Sequence, residues 1–135
     1  MLSKVKEVKK MAKEKCLCEA DEVLIFPCSG GSNVGQLANE TAKRLTSQGV
    51  GGMYCLAGIG GHISGFAEAT REVKKVVAID GCPVHCARKT LEHTNCPVNV
   101  HVVVTELGIR KTSNLLLDKK DIAKVENAVK EELKK

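Results

Sequence analysis

The sequence predicts a single-domain α/β fold, a three-layer sandwich around a mainly parallel four-stranded sheet. Short apolar β-type runs alternate with stretches of helical spacing, the pattern of strand–helix–strand units. The runs, such as Val23-Leu24-Ile25-Phe26 and Val76-Val77-Ala78-Ile79, are continuous rather than alternating, which implies burial on both faces and so parallel pairing. A length of 135 residues is that of one domain, able to bury about two-thirds of its extended surface, and no linker, repeat or low-complexity tract divides it.

The first strand is Glu22-Val23-Leu24-Ile25-Phe26, ended by Pro27-Cys28-Ser29-Gly30-Gly31. A helix over 33–47 follows, with Leu37, Ala38, Ala42 and Leu45 on one face and Gly49 as its stop. The second strand lies at 52–56. The glycine-rich Ala57-Gly58-Ile59-Gly60-Gly61 then leads into a helix reaching about Glu72. Strand three is Lys75-Val76-Val77-Ala78-Ile79-Asp80, which runs through Gly81-Cys82-Pro83 into a helix ending near His93. Strand four is 98–105, and 107–117 gives no clear pattern. Asp118 caps a C-terminal helix over 118–135, with Asp121 as a capping-box partner. Right-handed crossovers and a flavodoxin-like or Rossmann-like order 2-1-3-4 are expected.

The formal charge of +5 belongs to the ends: residues 1–15 hold six Lys against two Glu, 119–135 hold six Lys against four acids, and 16–118 carries −1. Both ends read as amphipathic helices, with Leu2, Val5, Val8, Met11 and Ala12 on the apolar side of the first, so their lysines are expected on solvated faces. Phe26, Tyr54 and Phe66 are the only aromatic residues, too few for the stacking platforms of single-strand nucleic-acid binding. No nucleic-acid partner is expected; the sequence does not settle protein partners or oligomeric state. No apolar run approaches the roughly 18 residues of a membrane span, and the start lacks the apolar stretch of a signal peptide. A cytoplasmic location without membrane attachment is expected.

Seven cysteines without an export signal point to metal binding or thiol chemistry rather than disulfides. Cys28, Cys55 and Cys82 each fall at the carboxyl end of a strand, and Cys86 follows one helical turn after Cys82. In open parallel sheets that rim is where sites form. Neighbouring strands about 4.8 Å apart allow these sulfurs to converge, and four thiolates at about 2.3 Å are the closed tetrahedral shell of a structural Zn²⁺. Amides of Ser29, Gly30, Gly31 and Gly58, with Asp80 and His62, are the candidate support around the sulfurs. For a single buried cysteine, simple packing is the better reading; for four at one rim, one Zn²⁺ per chain is favoured. The alternative is a thiol redox or persulfide-transfer enzyme, with Cys28 or Cys82 as nucleophile and Cys86 resolving. An iron–sulfur cluster on the same thiolates is a lesser alternative.

The segments Pro27-Cys28-Ser29-Gly30-Gly31-Ser32-Asn33-Val34-Gly35, Tyr54-Cys55-Leu56-Ala57-Gly58, Asp80-Gly81-Cys82-Pro83-Val84-His85-Cys86-Ala87 and Val104-Thr105-Glu106-Leu107-Gly108-Ile109 resemble the DGC domain family, named for its Asp-Gly-Cys motif. The resemblance covers about 20–112 and implies that Cys28, Cys55, Cys82 and Cys86 are the shared set, in a family described as zinc-binding. The Lys-rich helix over 1–15 and Cys16-Leu17-Cys18 lie outside it.

Other residues attract weaker assignments. Cys16 and Cys18 are extra ligands, a resolving pair or plain surface thiols, and Cys96 is a structural thiol. His62 sits on the same rim, where it replaces a thiolate, acts as acid or base, or simply closes the helix entrance. His85 is expected near the site or on the surface rather than as a ligand, His93 as a helix-end cation and His101 as a strand side chain. The Ser29–Gly35 loop has neither a P-loop ending nor a strict GxGxxG, so nucleotide binding is the weaker reading. Asp80, at a strand end, is expected to anchor the turn beyond it, with a general-base role as the alternative.

Overall fold

The structure is a computed structural model and describes residues 22–135; the sequence's expectations for 1–15, Cys16 and Cys18 lie outside the described residues. Strand β1 (Val23–Pro27) pairs in parallel with β3 (Lys75–Asp80), in register from Val23 opposite Lys75 to Pro27 opposite Ile79. On its other edge β1 meets β2 (Gly52–Met53), and β3 pairs with β4 (Val100–Val103). The sheet is parallel throughout, in the order β2-β1-β3-β4.

Burial on both faces explains the unbroken apolar strands. Ile25, Val77 and Ile79 face α1 (Asn33–Ser47) and α5 (Lys119–Lys134) together with Leu37, Leu45, Val125 and Val129. Leu24, Phe26, Val76 and Ala78 face the other layer, formed by α2 (Leu56–Gly60), α3 (Phe66–Glu72) and α4 (Cys86–His93). Leu37 and Leu45 are fully buried, and truncating either to Ala costs about 2–5 kcal/mol. A buried carboxylate fastens α5 to α1: Glu126 pairs with Arg44 at 3.1 Å and Lys130 at 3.1 Å, and accepts from Gln48. Among the described residues, no helix is long and apolar enough to cross a membrane.

Local chemistry sets the helix boundaries. Ser32 caps α1, its hydroxyl accepting from the Gly35 amide at 3.1 Å, and Gly49 follows the C-terminus with a left-handed φ of 76°. The Asp118 carboxylate caps α5, accepting from Lys120 N–H at 2.8 Å.

Strand β4 is Val100–Val103 rather than 98–105, because Val104–Leu107 wind into a 3-10 helix; three further elements differ from the sequence reading. Strand β2 is only Gly52–Met53, because Cys55 already caps α2. The glycine-rich stretch 57–61, expected only to lead into a helix reaching about Glu72, is mostly the short helix α2, and α3 starts only at Phe66, after His62 (φ 55°) and Gly65 (φ 91°) take left-handed backbone. Helix α4 starts at Cys86 rather than beside Gly81, since His85 takes a φ of 60° at the cap position. Cys82 and Cys86 therefore do not share a helical face; a turn closed by His85 N–H onto the Cys82 carbonyl at 3.2 Å carries the chain from one to the other.

Candidate functional site

The carboxyl ends of β1 and β3 form the crevice at which the strand order reverses, the usual place for a site in such sheets. Two backbone loops meet there at a distance only glycine permits. A Cβ on Gly81 would lie 2.7 Å from the Gly35 amide nitrogen and 2.8 Å from the Val34 carbonyl carbon; one on Gly35 would lie 2.4 Å from the Gly30 carbonyl oxygen. This contact brings the turn after β3, with Cys82, against the turn after β1, with Cys28.

Cys28 extends the β1–β3 ladder by one bond, its N–H donating to the Ile79 carbonyl at 3.0 Å. Its half-buried Sγ accepts from Gly81 N–H at 3.3 Å, and the Gly30 amide also bonds to it. Burial pushes the Cys28 thiol pKa up. The Gly30 and Gly81 amides act against that, while the charges of Asp80 and Cys86 add to it. Cys82 is half-buried, with Lys111 Nζ donating to its sulfur at 3.5 Å. Cys86 opens α4 and is exposed.

Cys28, Cys82 and Cys86 line one pocket of about 170 Å³, with Asp80, Lys111 and the glycines Gly30, Gly31, Gly35 and Gly81. Exposed Cys55 lines an adjoining pocket of about 780 Å³, beside Met53, Tyr54 and Leu56. Cys28 belongs to the walls of both. All five described cysteines are free thiols.

Asp80 anchors the start of the next helix, as a strand-end acid should. Its buried carboxylate accepts from Ala87 N–H at 2.7 Å and Arg88 N–H at 3.2 Å, fixing the first turn of α4, and bonds His101 Nε2 at 2.8 Å. His101 is thus a β4 side chain that reaches the buried acid, and the His85 ring stands edge-on to it with centroids 4.8 Å apart. Sequence reasoning missed this pair, although parallel register was the available signal: Ala78 lies opposite His101, two residues before Asp80. It also missed Lys111. Asn33 positions that lysine, its side chain donating to the Arg110 carbonyl at 2.8 Å and accepting from Thr112 N–H at 2.6 Å.

The remaining candidates sit apart from the sulfurs or serve the fold. The Ser29 hydroxyl donates to the Asn39 side chain at 2.8 Å, and Ser29 lines the larger pocket. Gly58 packs where a Cβ would meet the Phe66 ring at 2.6 Å. It lines a third depression together with His62 and His93, whose rings stand 5.5 Å apart. Neither Gly58 nor His62 lines a cysteine pocket; the turn that splits α2 from α3 carries His62 to His93 instead. Cys96 is buried and accepts from the Thr94 hydroxyl at 3.4 Å.

Among the described residues, no three Cys, His, Asp or Glu side chains form a group able to hold a metal ion, whereas zinc needs its sulfurs about 2.3 Å from one centre. As positioned, the four rim thiols do not form that shell.

Residues 24–129 match the DGC domain. The chain belongs to the DGC domain family. The matched stretch of this DGC chain runs from β1 into α5 and includes every residue of both cysteine pockets. Anaerobic and virulence modulator AnvM of Pseudomonas aeruginosa is 38% identical to it over 88 residues, 65% of this chain and 67% of that protein. No solved structure matches the DGC chain.

Proposed function

We propose that this DGC domain works through its rim thiols as a redox-responsive module, in which Cys28 and Cys86 pass between dithiol and disulfide. The observation that carries the reading is the pocket of about 170 Å³ lined by Cys28, Cys82 and Cys86, with the charge of Cys86 acting on the Cys28 thiol. Oxidation breaks two S–H bonds and forms one S–S bond. The two electrons and two protons go to a peroxide, which leaves as water and alcohol, or as two waters from hydrogen peroxide. Cys82 stands beside the pair as a thiol for exchange. The relative AnvM is named an anaerobic and virulence modulator, a name with which a reversible thiol pair is compatible. The cytoplasmic setting expected from the sequence would keep the pair reduced until an oxidant appears.

Hydrogen peroxide treatment followed by alkylation, intact-mass measurement and peptide mapping tests the proposal. The expected product is about 2 Da lighter than the dithiol before alkylation, with Cys28 joined to Cys86. Cys28→Ser and Cys86→Ser should abolish the link, and Cys96→Ser should keep it. Absence of a Cys28–Cys86 link in the wild-type chain overturns the reading.

Zinc held by Cys28, Cys55, Cys82 and Cys86 is the second reading, favoured by the placement of all four on adjoining pockets that share Cys28. It requires the sulfurs to close in on one centre. About one zinc per chain in protein purified without added metal, with melting lowered by a chelator, would support it over the thiol switch. A coloured anaerobic preparation would point instead to an iron–sulfur cluster.

A further inference from the structure

The two pockets that share Cys28 differ in chemistry. The smaller one carries Asp80 and Lys111. The larger, at about 780 Å³, has no charged residue in its lining, and its volume falls in the range of small-molecule sites. Pro27, Met53, Tyr54 and Leu56 supply its apolar walls, and Cys28 and Cys55 supply the sulfurs. Ser29 and Thr90 also reach it, their hydroxyl protons already donated to Asn39 at 2.8 Å and to the Cys86 carbonyl at 2.6 Å. A charged ligand would lose its hydration there without compensation. An uncharged apolar one gains by burial, and unbranched Met53 can adapt to its shape.

We propose that this pocket binds an uncharged, apolar small molecule bearing an electrophilic alkene, an α,β-unsaturated carbonyl compound, and that Cys55 captures it by addition. The inference rests on the rim-thiol reading for its chemistry and extends it to a substrate class. In the step, Cys55 Sγ forms a bond to the β-carbon of the alkene. The π pair moves towards the carbonyl as an enolate, and the proton given up by the thiol ends on the α-carbon. Nothing is oxidised or reduced, and the product has the summed mass of protein and ligand. Cys55 suits the step because it is exposed at the pocket wall, whereas Cys28 is half-buried and already bonded to the Gly81 amide.

The test compares two probes of the same reactivity, N-phenylmaleimide and the carboxylate-bearing 3-maleimidopropionate, on the reduced full chain. Rates at Cys55 and Cys86 are read by peptide mass spectrometry. The Cys55-to-Cys86 rate ratio should be roughly tenfold or more higher for the phenyl probe, the gain expected from burying its ring. Met53→Asp should erase the difference. Equal ratios for the two probes overturn the proposal. Because Met53→Asp also touches the sheet edge, a second measurement uses N-phenyl-1-naphthylamine, uncharged and unreactive. Its fluorescence should rise saturably with the wild type and with Cys55→Ser, and displacement by a saturated analogue, N-phenylsuccinimide, should reverse it; no saturable rise overturns the proposal. Probe preference at Cys55 without a Cys28–Cys86 disulfide after peroxide would leave the pocket standing and defeat the redox reading alone.

Discussion

Replacing Gly81 by Ala perturbs the contact on which the cysteine pocket depends. The added Cβ would meet the Gly35 nitrogen at 2.7 Å and the Val34 carbonyl carbon at 2.8 Å, where ordinary contact begins at 3.4 Å. Both partners are backbone at the start of α1, so no flexible side chain can yield. The turns after β1 and β3 must separate by more than half an ångström, and overpacking of this kind costs about 1–3 kcal/mol. Separation also lengthens the Gly81 N–H bond to Cys28 Sγ, now 3.3 Å. For a chain of this size each kcal/mol shifts the melting temperature by roughly 3–6 °C, so Gly81→Ala should melt about 3–18 °C lower. Calorimetry and urea unfolding measure this, and Cys28–Cys86 linkage after peroxide should slow in the same variant. A Gly81→Ala protein with unchanged melting and unchanged linkage would refute the claim that this backbone contact builds the site.

Glu126→Gln should destabilise the chain by about 1–2 kcal/mol at neutral pH, by removing a buried, multiply bonded carboxylate. The Gln48 hydrogen bond, opposed in part by burial and reinforced by Lys130 and Arg44, holds the Glu126 pKa below its ordinary 4.5. A depressed acid stabilises above its unfolded pKa and loses that contribution as pH falls through the folded one. Urea titrations of wild type and variant should therefore stay apart above pH 4.5 and converge below it. Asp80→Asn should weaken the start of α4 by about 1–3 kcal/mol through the lost carboxylate bonds to Ala87, Arg88 and His101. With the negative charge gone, the Cys28 thiol should titrate lower, although burial still holds it up, so iodoacetamide labelling of Cys28 near pH 8 should quicken. Labelling that slows, in a variant that remains folded, would contradict the assigned sign.

Spacing alone did not fix the strand order 2-1-3-4, but the layer architecture was legible because apolar runs such as Val76-Val77-Ala78-Ile79 are unbroken and so buried on both faces. The ends of elements were less so. Gly58, Gly60 and Gly61 fit a loop or a weak helix equally well, and only the left-handed backbone at His62 and Gly65 decides where α2 stops and α3 starts. The placement of Cys28 and Cys82 on one pocket followed from strand ends. The helical-turn argument for Cys82 and Cys86 did not hold, because Asp80 reaches past the turn to cap a helix that begins at Cys86. Cys55 could not be assigned to a pocket from sequence, since one residue more or less of β2 turns its side chain to a different side. Lys111 was invisible for another reason: its position depends on Asn33, more than seventy residues earlier.

That tether divides the irregular passage between β4 and α5 into two parts with different tolerances. Asn33 grips Arg110 and Thr112, whereas Ser113 to Leu116 are exposed up to the start of α5. Insertions or deletions beyond the grip should be absorbed as slack without disturbing the sulfurs, while a change of even one residue between Gly108 and Thr112 would drag the lysine off Cys82. Length variation among relatives, if it occurs in this passage, belongs on the downstream side.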